Sequence, residues 1–181
     1  MKLVVCTGCL ILCLLSVVAG ASAQEQLNFS QLPLINTPSP VPNGYGQIEW
    51  GNFYFVNPYG WSGAGSGYML GAPQKDVAFV GSRDCRLYDR VCFGTLTDSR
   101  GFQLVTADVA AGYSPTQVKV TAYLSGTQIG SMQYFVGTAM RTLKFPSSWG
   151  IATEVVFQVS GESGNLVVYN IAAYTLGGPP I

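Results

Sequence analysis

The chain contains no histidine among its 181 residues. That absence removes the Ser-His-Asp and Cys-His forms of nucleophilic catalysis and every histidine-ligated zinc site. Charge is nearly as scarce, with nine basic and nine acidic residues making up 10% of the chain and no run of either sign. Nucleic acid and acidic membrane surfaces are thereby denied an electrostatic handle. Beyond the N-terminal apolar run, no segment is long and amphipathic enough to demand an α-helix. Cysteine is sparse as well: of the five present, Cys6, Cys9 and Cys13 fall inside that run.

The run itself reads as a leader. Met1-Lys2 precedes apolar Leu3 to Val18, and Ala21-Ser22-Ala23 forms an A-x-A cleavage site before polar Gln24-Glu25-Gln26. A signal peptide over residues 1–23 is expected, with a secreted, extracellular product that has no membrane segment after cleavage. Only Cys85 and Cys92 remain in that product. In an oxidising compartment these two are expected to pair, closing a short loop worth about 2–3 kcal/mol in chain entropy. A redox or metal role is disfavoured, since six residues separate them and no other soft ligand exists. Arg83-Asp84-Cys85-Arg86-Leu87-Tyr88-Asp89-Arg90 alternates in sign within this region, as a self-neutralising surface loop would. Asn28-Phe29-Ser30 is the glycosylation sequon.

Residues 24–42 carry Pro33, Pro38, Pro40 and Pro42 and read as a proline-rich arm, with Leu32, Leu34 and Ile35 able to pack on the domain. From Ile48 onward the chain breaks into short β-rich runs separated by Gly, Pro, Ser and Asp. In Gln117 to Leu124, Val118, Val120, Ala122 and Leu124 alternate with Lys119, Thr121 and Tyr123, so one face is buried and the other wet. Ser125-Gly126 turns this run into Thr127 to Val136. Further strands are expected near Asp76 to Val80, Gly101 to Ala110, Met140 to Phe145, Thr153 to Val159 and Leu166 to Leu176. The expected fold is all-β, a two-sheet antiparallel β-sandwich spanning residues 43–176, followed by a short tail over residues 177–181.

Asn43-Gly44-Tyr45-Gly46-Gln47-Ile48-Glu49-Trp50-Gly51-Asn52-Phe53, then Gly65-Ser66-Gly67-Tyr68 and Val77-Ala78-Phe79, resembles a recurrent pattern in small secreted microbial proteins. Thr121 to Gln128 and Trp149-Gly150-Ile151 continue the likeness over nearly the whole mature domain. The resemblance implies a galactose-binding-like jelly roll of the kind found in carbohydrate-binding modules, with glycan held at loop ends or across a concave face. It also implies a structural calcium as the only candidate cofactor, for which Glu49 and Asp76 are the candidate ligands. Where the pattern has Asp-Asn in its final strand this chain has Tyr169-Asn170, and a neutral oxygen suits calcium less well.

The stretch from Tyr45 to Tyr68 concentrates rings and glycines. Trp50, Phe53 and Phe55 sit in a β-rich run that needs core bulk, and Tyr68 and Trp149 are assigned to the core with them. Tyr59 and Trp61 differ, because Asn57-Pro58 and the surrounding glycines place them on a loop. With Asn57 and Gln74 they form the candidate carbohydrate-binding site; the alternative is that Trp61 folds back as a lid on the core. No catalytic residue is assigned, although Glu49, Asp76, Asp84, Asp89, Asp98, Asp108, Glu154 and Glu162 are carboxylates a glycosidase could recruit in pairs. The expected function is non-catalytic, lectin-like binding of a cell-wall or surface glycan. The alternatives are a secreted effector or surface structural protein that holds a host or surface protein through Arg86 and Arg90, and, behind it, a glycosidase.

Overall fold

In the computed structural model, residues 24–61, 66–70, 76–80, 92–160 and 165–176 are described. They form eleven strands: β1 (Gln24–Asn28), β2 (Ser39–Pro40), β3 (Glu49–Gly51), β4 (Phe53–Val56), β5 (Val77–Val80), β6 (Cys92–Ala111), β7 (Thr116–Leu124), β8 (Thr127–Val136), β9 (Arg141–Lys144), β10 (Ala152–Ser160) and β11 (Leu166–Thr175). Two single-turn helices, α1 (Pro58–Trp61) and α2 (Gly67–Leu70), lie between β4 and β5. No helix of the described residues is long and apolar enough to cross a membrane.

Every strand pairing is antiparallel, and the strands form the two-layer sandwich expected of a jelly roll. The 20-residue β6 belongs to both layers. Its first half pairs with β3 and β10, and β10 continues through β7 to the edge strand β8, which makes a five-stranded sheet. Its second half pairs with β9 and β11, and β11 continues to β1 and to β5, β4 and β2. The switch falls at Gly101, where φ is +93° and a Cβ would meet Ile151 Cγ2 at 2.4 Å. Only glycine accepts that bend without strain. Beside it Arg100 clamps the buried Asp98 carboxylate through Nε at 3.0 Å and Nη2 at 2.9 Å.

Period-two alternation puts Leu96, Val118, Val120, Val155 and Phe157 of the first sheet against Phe53, Val80, Val168 and Ile171 of the second. An aromatic chain stitches the layers: Trp50 meets Phe53 edge-on at 5.2 Å, and Phe53 meets Phe157 edge-on at 5.9 Å. The Trp50 indole N–H donates to the Tyr45 carbonyl at 2.7 Å, so the ring is buried with its polar atom satisfied. Trp50, Phe53 and Phe55 are core residues as expected, with Trp149 half-buried against their cluster, and Tyr68 is buried in a separate one.

The proline-rich stretch is more than an arm. Gln24–Asn28 pairs along β11, Ser39–Pro40 pairs with β4, and Phe29 and Val41 are core residues. The prolines obscured this, since β1 precedes all of them and Pro40 occupies a strand of only two residues. The first half of β6 also lay outside the expected strand, because Gly94 and Asp98 interrupt its apolar pattern. Ser125 and Gly126 both have positive φ, +49° and +81°, which suits the tight turn expected between β7 and β8.

Candidate functional site

The two sheets differ in what covers their outer faces. On the second sheet, Tyr54, Val56, Val77, Phe79, Ala110, Val167 and Tyr169 form a second apolar cluster, closed by Tyr68 from α2. The Tyr68 ring meets Phe79 edge-on at 5.6 Å, and the Tyr169 hydroxyl donates to the Gly67 carbonyl. Tyr54 leaves the main core and stacks on Phe79 at 5.9 Å. The apolar covering makes that face a minor core.

The five-stranded sheet has a different outer face. Strand register aligns Phe93, Gln158, Lys119 and Gln133 in one row across β6, β10, β7 and β8. A neighbouring row holds Ser160, Gln117 and Phe135, and the row on the other side holds Thr95, Val156, Thr121 and Ser131. Phe135 is 63% exposed and Phe93 is 47% exposed, so two rings stand in water on a sheet otherwise dressed in amides and hydroxyls. Beside Phe135 lies a groove of about 200 Å³ whose described lining includes Gln117, Lys119, Gln133, Phe135, Gln158 and Ser160. Phe93 and Phe135 lie three strands and one row apart, about 16 Å from the usual spacings. That is a platform for an extended polar chain with apolar faces.

Further along the same face, Glu49 of β3 and Glu154 of β10 both register with Thr97 of β6. Their backbones are therefore about 10 Å apart, two strand spacings. Neither side chain is buried, whereas a glycosidase general acid sits in an apolar pocket.

The loop site of the sequence reading is only partly described. Tyr59 is 50% exposed on α1. Asn57 is half-buried, donates from Nδ2 to Asn36 Oδ1 at 3.3 Å and accepts from the Tyr59 amide at 3.1 Å through its own Oδ1. Its side chain thus shapes the turn, with one N–H and one acceptor site of the amide engaged. The Trp61 side chain and all of Gln74 lie outside the described residues, as do Cys85, Arg86 and Arg90. Cys92 is buried at the start of β6. Asn28 is exposed at the end of β1, where its Oδ1 accepts from the Ser30 amide at 3.2 Å.

The calcium candidates do not form one site. Glu49 is exposed on β3 of the first sheet, whereas Asp76 is 3% exposed beside β5 of the second. Among the described residues no group of three His, Cys, Asp or Glu could hold a metal ion. Asp76 is unusual in its own right, since neither carboxylate oxygen has a hydrogen-bond partner among the described residues. Desolvation raises its pKa above the ordinary carboxylate range.

Sequence reasoning placed Lys119 and Tyr123 on the outer face correctly, but Thr121 is buried there, Leu124 at the strand end is exposed, and Phe93, Phe135, Gln133 and Gln158 were missed. Each of these is ordinary alone, and only the register between strands places them together.

No family model matches the chain, and no curated protein matches its sequence. Solved structures are similar in fold. A DUF4465 family protein from Bacteroides caccae superposes with a TM-score of 0.51 at 11% identity, covering 88% of this chain and 96% of that one. The TmCBM61 carbohydrate-binding module, solved with β-1,4-galactotriose, gives a TM-score of 0.41 at 10% identity over 81% of this chain and 96% of its own. An F5/8 type C domain from Bacteroides fragilis gives 0.38 at 12% identity over 77% and 98%. The chain is thus similar to microbial β-sandwich domains, as its sequence pattern indicated.

Proposed function

We propose that this protein is a secreted, non-catalytic carbohydrate-binding module for a cell-wall or surface glycan, and that it binds on the open face of the five-stranded sheet. The observation that carries this reading is exposed Phe135 lining a groove of amide, hydroxyl and lysine side chains, with exposed Phe93 in register beside its Gln158. Flat rings meet the C–H faces of pyranoses, while Gln117, Gln133 and Gln158 offer both donors and acceptors to hydroxyls. The half-exposed Tyr59, with Trp61 and Gln74 on the loop between β4 and β5, is the second location for such a contact.

Retention of the full chain, expressed through a secretory pathway, on insoluble cellulose, chitin, β-glucan, xylan, mannan and galactan tests this. Sugar-competable retention that is lost in Phe135→Ala, with melting behaviour unchanged, supports the sheet face. Loss in Tyr59→Ala alone moves the site to the loop. Absence of retention on every polysaccharide overturns the glycan reading.

A further inference from the structure

We infer that the groove selects an acidic glycan, seating a carboxylate or sulfate of the sugar chain on Lys119; this rests on the glycan-binding reading above. Lys119 is the one charged side chain among the described residues lining the groove. Its row neighbours are Gln158 and Gln133, and the adjacent row supplies Gln117, Ser160 and Phe135. None of these can neutralise an ammonium. The ion pair found among the described residues joins Arg100 to Asp98, at the strand bend, and does not involve Lys119.

Among the described residues, the nearest acid on this face in register is Glu154, which pairs with Tyr123, four residues along β7 from Lys119. That is about 13 Å of strand, beyond the screening length of about 8 Å at physiological salt. An acidic group over the groove therefore feels Lys119 and little of Glu154. Lys119 is half-buried between its neighbours, so a neutral sugar laid over it would strip water from the ammonium without returning a counter-charge. An anionic substituent returns it through charge-assisted hydrogen bonds, while the flanking amides hold the hydroxyls on either side. Phe135 then takes the apolar face of the adjoining sugar.

The test is affinity electrophoresis of the full chain in gels containing polygalacturonate, alginate or carrageenan, beside neutral galactan and xylan. Uronate and sulfate polymers separate the two sources of the anion. Preferential retardation by an acidic polymer, weakened about tenfold in Lys119→Gln and reduced by raising salt, is the expected result. Phe135→Ala should weaken retardation by every retained polymer, and Glu154→Gln should leave the acidic ones unchanged. Retardation by neutral polymers equal to that by acidic ones, or indifferent to Lys119→Gln, overturns the charge selectivity and leaves the glycan reading standing. Retardation by none overturns both.

Discussion

Replacing Asp76 by asparagine should stabilise this protein at neutral pH. The carboxyl group is 3% exposed, and neither oxygen has a hydrogen-bond partner among the described residues. Burial raises its pKa, so the folded chain keeps the proton to higher pH than the unfolded chain, in which aspartate titrates near 3.9. Between those two values the folded state binds more protons, and stability falls as pH rises through the window. Above the folded-state value the fold carries the whole penalty. An unsatisfied buried charge costs upwards of about 1–3 kcal/mol, and an amide of the same shape removes the charge while leaving polar atoms to satisfy. A net gain of about 1–2 kcal/mol is expected, or about 2–8 °C in melting temperature for a domain of this size. Thermal melts of both proteins by circular dichroism at pH 4 and pH 7.5 give the comparison. The variant should melt higher at pH 7.5, with the gap shrinking at pH 4. A variant that melts lower at pH 7.5 would refute the reasoning, and a wild-type melting temperature lowered by chelator would identify a divalent cation as the missing partner.

Three further outcomes follow from the packing. Phe53→Ala removes a fully buried ring and its edge-on contacts with Trp50 and Phe157, and should cost about 3–5 kcal/mol in denaturant titrations. Gly101→Ala places a side chain at φ +93° against Ile151, so a loss of about 1–3 kcal/mol is expected by the same assay, and wild-type stability would show that the bend relaxes. Phe93→Ala, at an exposed position, should leave the melting temperature within about 0.5 kcal/mol equivalent of wild type, and a larger fall would mean the ring packs as structure.

Much of the architecture was legible because its signals are local. Alternation in β7, the Ser125-Gly126 turn and the apolar runs of β10 and β11 each announce themselves within ten residues. The core placement of Trp50, Phe53 and Phe55 was legible for the same reason. What stayed hidden depends on partners far apart in sequence. The strand role of Gln24–Asn28 appears only when Asn170 and Tyr174 are known to lie beside it. The open face is harder still, since Phe93, Lys119, Gln133 and Gln158 come from four strands and share no motif. Rings clustered in sequence drew attention to the stretch around Tyr59, yet most of that cluster was needed to fill two cores.

A strand that serves both layers also governs how the molecule can come apart. In a sandwich held only by side chains the sheets could slide or swing open while each kept its own hydrogen bonds. Here β6 is a common spine: its ladders to β10 and to β11 run along one continuous strand and meet at Phe102, so the layers cannot slide past each other without breaking backbone pairs at the bend. Sliding of one layer is thus coupled to the other, and amides on both halves of β6 should exchange with solvent in a single cooperative event. In the glycan-binding role proposed above, a pull on one sheet passes to the other through the backbone of β6.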